Sequence, residues 1–232
     1  MAEVLRESDL RTWIENFANV VLRERDHLDE LDSAIGDGEH GSNLAQGMTA
    51  VLTLLRDSEF TDLREMFDAI GMTIVNSVGG ASGALYGTLF LRFSDAGDGR
   101  RELDLGILTA ALASGMAGMM ELGRTKAGDK TMLDAIHPAV EALSSARDGS
   151  LAMALERAAQ AATQGRDATA AMLARRGRGS YLGDRSLGHV DAGATSMAAL
   201  FQTLSDTVRQ SPTPSSGQPD SSTAVVDPER AT

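Results

Sequence analysis

Apolar residues recur at helical spacing along most of the chain, and this pattern constrains the fold more than any other feature. In the first stripe, Leu10, Trp13, Ile14, Phe17 and Val21 recur at the spacing that places them on one face of a helix. Similar stripes cover residues 44–55, 63–78, 85–93, 105–120, 131–143, 151–174 and 197–208. No segment alternates between apolar and polar residues as a half-buried strand does. The sequence therefore predicts an all-α fold, an antiparallel bundle of amphipathic helices.

Composition excludes several kinds of site. The chain has no Cys, which removes disulfides, zinc–thiolate sites, iron–sulfur clusters and thiol nucleophiles, and fits a reducing cytoplasm. A net charge of −12 argues against nonspecific binding to nucleic acid or to an anionic membrane. The N-terminus carries charges and shows no export signal. The uncharged run 105–120 is shorter than the roughly 20 residues of a membrane span, so we expect a buried core helix there.

The C-terminal end differs in composition from the rest of the chain. Four of the five prolines fall between residues 211 and 232, among Ser, Thr, Gly and Asp. Such a segment buries too little apolar surface to fold. We therefore expect one helical domain over residues 1–210, followed by a disordered tail over residues 211–232.

Glycines concentrate in four stretches between the predicted helices. These stretches are LDSAIGDGEHGSN at 31–43, GGASG at 79–83, LGRTKAGDKTM at 122–132 and GRGSYLGDRSLGHVDAGATS at 177–196. Binding and catalytic residues are found disproportionately on loops that a rigid scaffold positions. We therefore expect the function of the chain to reside in these four loops.

The first loop holds three carboxylates, those of Asp32, Asp37 and Glu39, with glycines between them. Carboxylates crowded in this way repel one another unless a hard cation such as Mg²⁺ or Ca²⁺ binds among them. Residues 40–43 lead directly into a predicted helix, whose first N–H groups bind anions. A cation beside such a helix start suits a polyphosphate. The alternative is a solvated acidic turn.

The other loops offer groups that bind phosphate. The backbone of GGASG can form an anion nest beside the Ser82 hydroxyl, although a plain helix–helix turn has the same composition. Arg176, Arg178 and Arg185 in the fourth loop supply guanidinium donors, the alternative being a basic surface loop. A GxGxxG match at residues 36–41 and a near P-loop at residues 123–131 lack a preceding strand. Dinucleotide-binding and P-loop folds are therefore excluded.

Taken together, the four loops resemble the ADP-binding L subunit of bacterial dihydroxyacetone kinases. LDSAIGDGEHGSN, SVGGASGALYGT, AGDKTMLDAIHP and GRGSYLGDRSLGHVDAGATS match the blocks of that family in order and spacing. The resemblance runs from about residue 9 to residue 208. It implies an antiparallel up-and-down barrel of eight helices, with the nucleotide held by the loops at one end.

The resemblance also implies roles for individual residues. Asp32, Asp37 and Glu39 would bind magnesium, as two ions. The positions that would line the ADP or ATP site are His40, Gly41, Ser42, Asn43, Ala81, Ser82, Gly123, Met132, Arg178, Asp191, Ala192 and Gly193. Two positions depart from the family pattern, since Glu39 stands where Asp is usual and Ala192 where many relatives have Pro. Mg²⁺ demands near-octahedral geometry, so we expect the longer Glu39 side chain to shift or weaken a metal ion.

The activity implied is a phosphotransferase without a covalent nucleophile, in which magnesium bridges the phosphates. A separate K subunit would hold dihydroxyacetone, and a phosphocarrier subunit of the phosphotransferase system would recharge the nucleotide from phosphoenolpyruvate. A transcriptional regulator is a further possible partner. Two alternatives stay open: an ATP-dependent kinase subunit for another short keto-sugar or other acceptor, and a nucleotide-sensing protein without turnover.

Overall fold

A computed structural model describes residues 3–146 and 150–210, so the tail expected over residues 211–232 lies outside the described residues. The described residues form nine α-helices. These are α1 (Glu7–Arg23), α2 (Arg25–Ile35), α3 (His40–Asp57), α4 (Leu63–Ser77), α5 (Gly80–Ser94), α6 (Leu105–Gly123), α7 (Leu133–Ser144), α8 (Leu151–Ala168) and α9 (Ala192–Gln210). Two short strands, β1 (Val4–Arg6) and β2 (Glu102–Asp104), pair antiparallel with Leu5 opposite Leu103.

Eight of the helices close into a ring. Helix α1 packs against α3, each helix from α3 to α8 packs against the next, and α9 returns to α1. The α2–α3, α4–α5, α6–α7 and α8–α9 connections all border one cavity and therefore lie at one end of the ring. Helix α2 lies outside the ring, against α3 and α9. The predicted all-α barrel of eight antiparallel helices is thus confirmed, with α2 as an addition.

An aromatic cluster fills the middle of the ring. Trp13 of α1 is 1% exposed, and its ring centroid lies 6.5 Å from that of Phe67, 6.3 Å from that of Phe90 and 6.1 Å from that of Phe93. The indole N–H of Trp13 donates a hydrogen bond of 2.9 Å to the carbonyl oxygen of Leu200 on α9. Buried aromatic rings contribute a large apolar area at few rotatable bonds. The cluster therefore fastens α1 to α4, α5 and α9.

Several boundaries differ from the prediction. Residues 31–35, expected in a loop, form the last turns of α2, whose stripe is too short and too acidic to stand out in the sequence. The two strands were not predicted, because each has only three residues, too few to show the apolar–polar alternation of a strand. Helix α8 ends at Ala168 rather than at residue 174, and a 3₁₀ turn, Thr169–Ala171, follows it.

Helix α6 is longer and less buried than predicted. It spans 19 residues, and the face that carries Gly106, Ala110, Ser114 and Ala117 is exposed, because the helix forms part of the ring wall instead of its centre. Among the described residues, α6 is the one helix whose length and hydropathy would allow it to cross a membrane. Wall and core helices of proteins in water meet the same criterion, so this observation carries little weight.

The aromatic cluster yields a prediction for stability. Trp13→Ala removes the largest buried side chain and the hydrogen bond to Leu200. We expect the free energy of unfolding to fall by about 3–5 kcal/mol, as for other buried aromatic truncations. Urea unfolding measures the change, and Met153→Ala, at a side chain 47% exposed, is the control with a change below about 0.5 kcal/mol. A loss below about 1 kcal/mol for Trp13→Ala would contradict the central role of the cluster.

Candidate functional site

The four glycine-rich loops enclose a cavity of about 480 Å³ at one end of the ring. Every loop contributes to its wall. The lining combines four carboxyl groups with arginines, glycine backbone and apolar side chains from α5, α6 and α7. Among the lining residues are Asp32, Asp37, Glu39, His40, Asn43, Gly79, Gly80, Ala81, Ser82, Leu85, Met119, Gly123, Lys130, Met132, Leu133, Arg176, Arg178, Asp191 and Gly193. A cavity with both charged and apolar walls suits a ligand that is itself part phosphate and part ring.

The structure brings most of the predicted site residues to this cavity. They are the three carboxylates together with His40, Asn43, Ala81, Ser82, Gly123, Met132, Arg178, Asp191 and Gly193. Three others are absent from its lining. A Cβ at Gly41 would meet the carbonyl oxygen of Arg25 at 2.0 Å, Ser42 is bonded to Asp29, and Ala192 is buried. Contact of any of these residues with a nucleotide stays a prediction.

Asp32 and Asp37 place two carboxylates side by side. Asp32 stands on the last turn of α2, where its Oδ2 accepts a hydrogen bond of 3.0 Å from the N–H of Glu39. Burial raises the pKa of Asp32, and the neighbouring carboxyl group of Asp37 raises it further. A Cβ at Gly36 would lie 2.2 Å from Oδ1 of Asp32, so only glycine leaves room for this carboxylate.

This donor set fits a hard divalent cation. Carboxylate oxygens are the ligands that Mg²⁺ prefers, and a cation relieves the repulsion between two of them. Within residues 3–146 and 150–210, no three carboxylate or imidazole side chains stand close enough together to form a complete metal site. Instead, the guanidinium group of Arg178 lies 2.7 Å from a carboxylate oxygen of Asp37 and supplies the positive charge there.

His40 is buried and links the cavity to the ring interior. Its Nδ1 lies 3.0 Å from Oγ of Ser82, and its Nε2 lies 2.8 Å from Oγ of Ser196. Ser196 donates its hydroxyl proton to the carbonyl oxygen of Gly193 and accepts a hydrogen bond from Tyr86. Because Ser196 has no second proton, Nε2 of His40 is the donor to Ser196, and Nδ1 accepts the Ser82 hydroxyl.

His40 therefore orients Ser82 and does not provide positive charge. Burial lowers the pKa of the imidazole to about 4, so the ring is neutral at pH 7. With its proton held by His40, the Ser82 oxygen can take part in the cavity only as an acceptor, through its two lone pairs. Ser196 and Tyr86 were not predicted from the sequence: Tyr86 lies in an apolar helical stripe that indicated core packing, and Ser196 is the last residue of the fourth loop, where no motif singled it out.

Lys130, in the third loop, forms hydrogen bonds to the connection between α8 and α9. Its side chain is buried, and Nζ donates a hydrogen bond of 3.2 Å to the carbonyl oxygen of Met172 and a short one to that of Ser186. Burial lowers the pKa of this amine. No sequence signal identified Lys130, because its only motif match was the rejected P-loop. Its contacts hold the α8–α9 connection, which carries Arg178, beside the cavity.

Asp191 caps the last helix at the cavity wall. Its Oδ2 accepts a hydrogen bond of 2.7 Å from the N–H of Ala194 in the first turn of α9. A Cβ on the adjacent Gly193 would meet Cγ of Met132 at 2.8 Å, so glycine allows α9 to begin against the third loop. Burial raises the pKa of Asp191 to about 7, the bond from Ala194 opposing this shift.

The family model of the DAK2 domain matches residues 34–206. The chain is 40% identical to "PEP-dependent dihydroxyacetone kinase 1, ADP-binding subunit DhaL" of Listeria innocua, covering 84% of this chain and 93% of the relative. It is 38% identical to the corresponding ADP-binding subunit DhaL of Escherichia coli, covering 86% and 96% of the two chains. L-erythrulose 1-kinase of Mycolicibacterium smegmatis is 31% identical, but the match spans only 34% of that protein.

Two crystal structures share the fold. The native dihydroxyacetone kinase of C. freundii superimposes with a TM-score of 0.68 at 26% identity, over 85% of this chain and 34% of that one. The same kinase in complex with AMP-PNP and Mg²⁺ gives a TM-score of 0.67 at 27% identity, over 85% and 33% of the two chains. This fold therefore accounts for about one third of a larger kinase chain in that protein.

The pKa of Asp191 yields a prediction for the nucleotide-free chain. The group has an ordinary pKa of 3.8 and a folded pKa of about 7, so its contribution to stability is complete below pH 4 and is lost as pH rises through 7. Asp191→Asn keeps a side-chain oxygen for the N–H of Ala194 and cannot ionise. The variant should therefore gain stability over the wild type between pH 5 and pH 8, by at most about 1.4 kcal/mol per pH unit.

Urea unfolding at pH 5 and pH 8 measures this gain. The same difference between variant and wild type at both pH values would contradict a buried, proton-binding Asp191.

Proposed function

Because the chain belongs to the DAK2 domain family, we propose that it is the ADP-binding subunit of a dihydroxyacetone kinase driven by phosphoenolpyruvate. One observation carries the proposal: four glycine-rich loops converge on a single cavity that combines adjacent carboxylates, arginine and helix N-termini. The relatives that match over nearly their whole length are ADP-binding subunits of this kind. The erythrulose kinase, a longer protein of lower identity, supports a different acceptor less well.

The cavity offers a distinct environment to each part of a nucleotide. Arg178 and the N–H groups at the starts of α3, α5 and α9 would bind the phosphates, because helix N-termini carry partial positive charge. Leu85, Met119 and Met132 supply apolar surface for the base. Ser82, whose hydroxyl proton is held by His40, presents an acceptor oxygen, which would pair with a donor group of the nucleotide and not with a phosphate oxygen. The phosphoryl group would thus be positioned without any covalent bond to the protein.

Asp32, Asp37 and Glu39 are the residues that would hold magnesium, as two ions. A magnesium ion held there would supply positive charge against the negative charge that develops during transfer. If Asp37 held the metal, its ion pair with Arg178 would be released, and the guanidinium group would be available for phosphate. In the reaction, the bond between the γ-phosphorus and the ADP oxygen breaks, a bond from that phosphorus to a hydroxyl oxygen of dihydroxyacetone forms, and the proton of that hydroxyl is released to solvent.

The acceptor and the donor come from partner subunits in this proposal. A K subunit holds dihydroxyacetone, and a phosphocarrier of the phosphotransferase system recharges the bound ADP. The Listeria innocua and Escherichia coli relatives support the second step, since both are subunits of PEP-dependent kinases. The cytoplasmic location is part of the same proposal. Binding to a transcriptional regulator stays a prediction.

Asp37→Asn tests the proposed function. The amide keeps the size of the side chain and removes the charge that attracts the metal, so phosphoryl transfer to dihydroxyacetone should fall at least tenfold, on the order of the loss of one transition-state contact. The assay combines the chain with its cognate K subunit and phosphocarrier and measures dihydroxyacetone phosphate. Asp98→Asn, at an exposed carboxylate on the opposite end of the ring, is the matched control with an unchanged rate. Full activity of Asp37→Asn would contradict the assignment.

A further inference from the structure

The connection between α8 and α9 exposes apolar side chains beside the cavity. Tyr181 is 88% exposed, Leu187 is 45% exposed and Leu173 is 36% exposed. The same connection supplies residues 176–179 to the cavity lining, so these side chains stand at its edge. We call residues 173–190 the rim. A group of large apolar side chains exposed next to a binding site is typical of a protein interaction surface.

The rim is held in place by the body of the protein. Lys130 Nζ donates to two carbonyl oxygens of the connection, those of Met172 and Ser186. The N–H of Gly188 donates a bond of 2.7 Å to the carbonyl oxygen of Ala170, and the N–H of Ala174 donates one of 3.0 Å to Oγ of Ser186. These hydrogen bonds hold the loop that carries Tyr181 in one conformation. A partner would therefore bind a preformed surface on which Tyr181 is already exposed.

The rim is positively charged in a strongly acidic protein. It contains four arginines and one aspartate, whereas the whole chain has a net charge of −12. Arg176 and Arg178 face carboxylates of Asp129 and Asp37. Arg175 and Arg185 are exposed and have no ion pair among the residues that the structure describes. Complementary charges steer association between proteins, so the partner should present acidic groups here.

We propose that the rim is the docking surface for the subunit that holds the phosphoryl acceptor, and that this subunit presents an apolar pocket for Tyr181 within an acidic face. The proposal rests on the proposed function, because an acceptor held on another chain must reach the cavity that the rim borders. Tyrosine and arginine are enriched among the residues that dominate the free energy of protein association. Tyr181 and the two unpaired arginines are therefore the anchors.

Tyr181→Ala tests the apolar part of the surface. Calorimetry with the cognate K subunit should show a Kd that rises roughly tenfold or more, as for other central aromatic anchors. The Kd for ADP in magnesium should change less than about twofold, because Tyr181 is absent from the cavity lining. Met153→Ala, at an exposed apolar side chain on α8, is the matched control with unchanged K-subunit binding. Unchanged K-subunit binding of Tyr181→Ala would overturn the proposal.

The double variant Arg175→Ala and Arg185→Ala tests the charge. Its association rate with the K subunit should fall, because two positive charges that attract an acidic partner are lost. The rate should also depend less on salt than the wild-type rate, because less electrostatic attraction remains for salt to screen. Arg157→Ala, at an exposed arginine on α8, is the control with the wild-type rate and salt dependence. A faster rate for the double variant would indicate a basic partner face and overturn the proposal.

Two further outcomes separate this proposal from the proposed function. If Tyr181→Ala lost phosphocarrier binding but kept K-subunit binding, the rim would serve the donor, and the docking proposal would be wrong while the proposed function stood. If the wild-type chain bound ADP but no K subunit at any concentration tested, the proposed function would fail, and the docking proposal with it.

Discussion

The return of α9 to α1 is the contact on which the site depends. It closes the ring of eight helices, and the hydrogen bond from Trp13 to Leu200 lies in that contact. Closure brings the start of α9, with Asp191 and Ser196, to the start of α3, where Ser196 meets His40. Residues more than 150 positions apart in the sequence thus share one cavity. Without closure, the four loops would lie at the ends of separate helix pairs.

Electrostatics inside the site oppose those of the whole chain. A protein with a net charge of −12 repels a polyphosphate at long range. The cavity offsets this repulsion locally through Arg178 and helix N-termini, while burial keeps His40 neutral. Asp32 and Asp37 add negative charge at the same place, which makes sense where a divalent cation joins them. The site is therefore arranged for a metal–phosphate pair more than for either ion alone.

The helical stripes predicted most of the ring, because each helix buries one face and the residues of that face appear in the sequence as apolar residues at helical spacing. Glycine content located the four loops for the same local reason. Helix α2 was missed because its few apolar residues contact α3 and α9 outside the ring, and Asp32 was therefore placed in a loop. Lys130, Ser196 and Tyr86 were missed because their partners are distant in the sequence. The exposure of Tyr181 depends on how its neighbours pack and could not be predicted from the sequence.

The cavity at the loop end of the ring is the proposed binding site for ADP. The most direct measurement is to purify the chain in magnesium, desalt it, denature it and identify the nucleotide released. We expect close to one ADP per chain. Absence of any nucleotide, together with no heat of ADP binding to the desalted chain in calorimetry with magnesium, would contradict it.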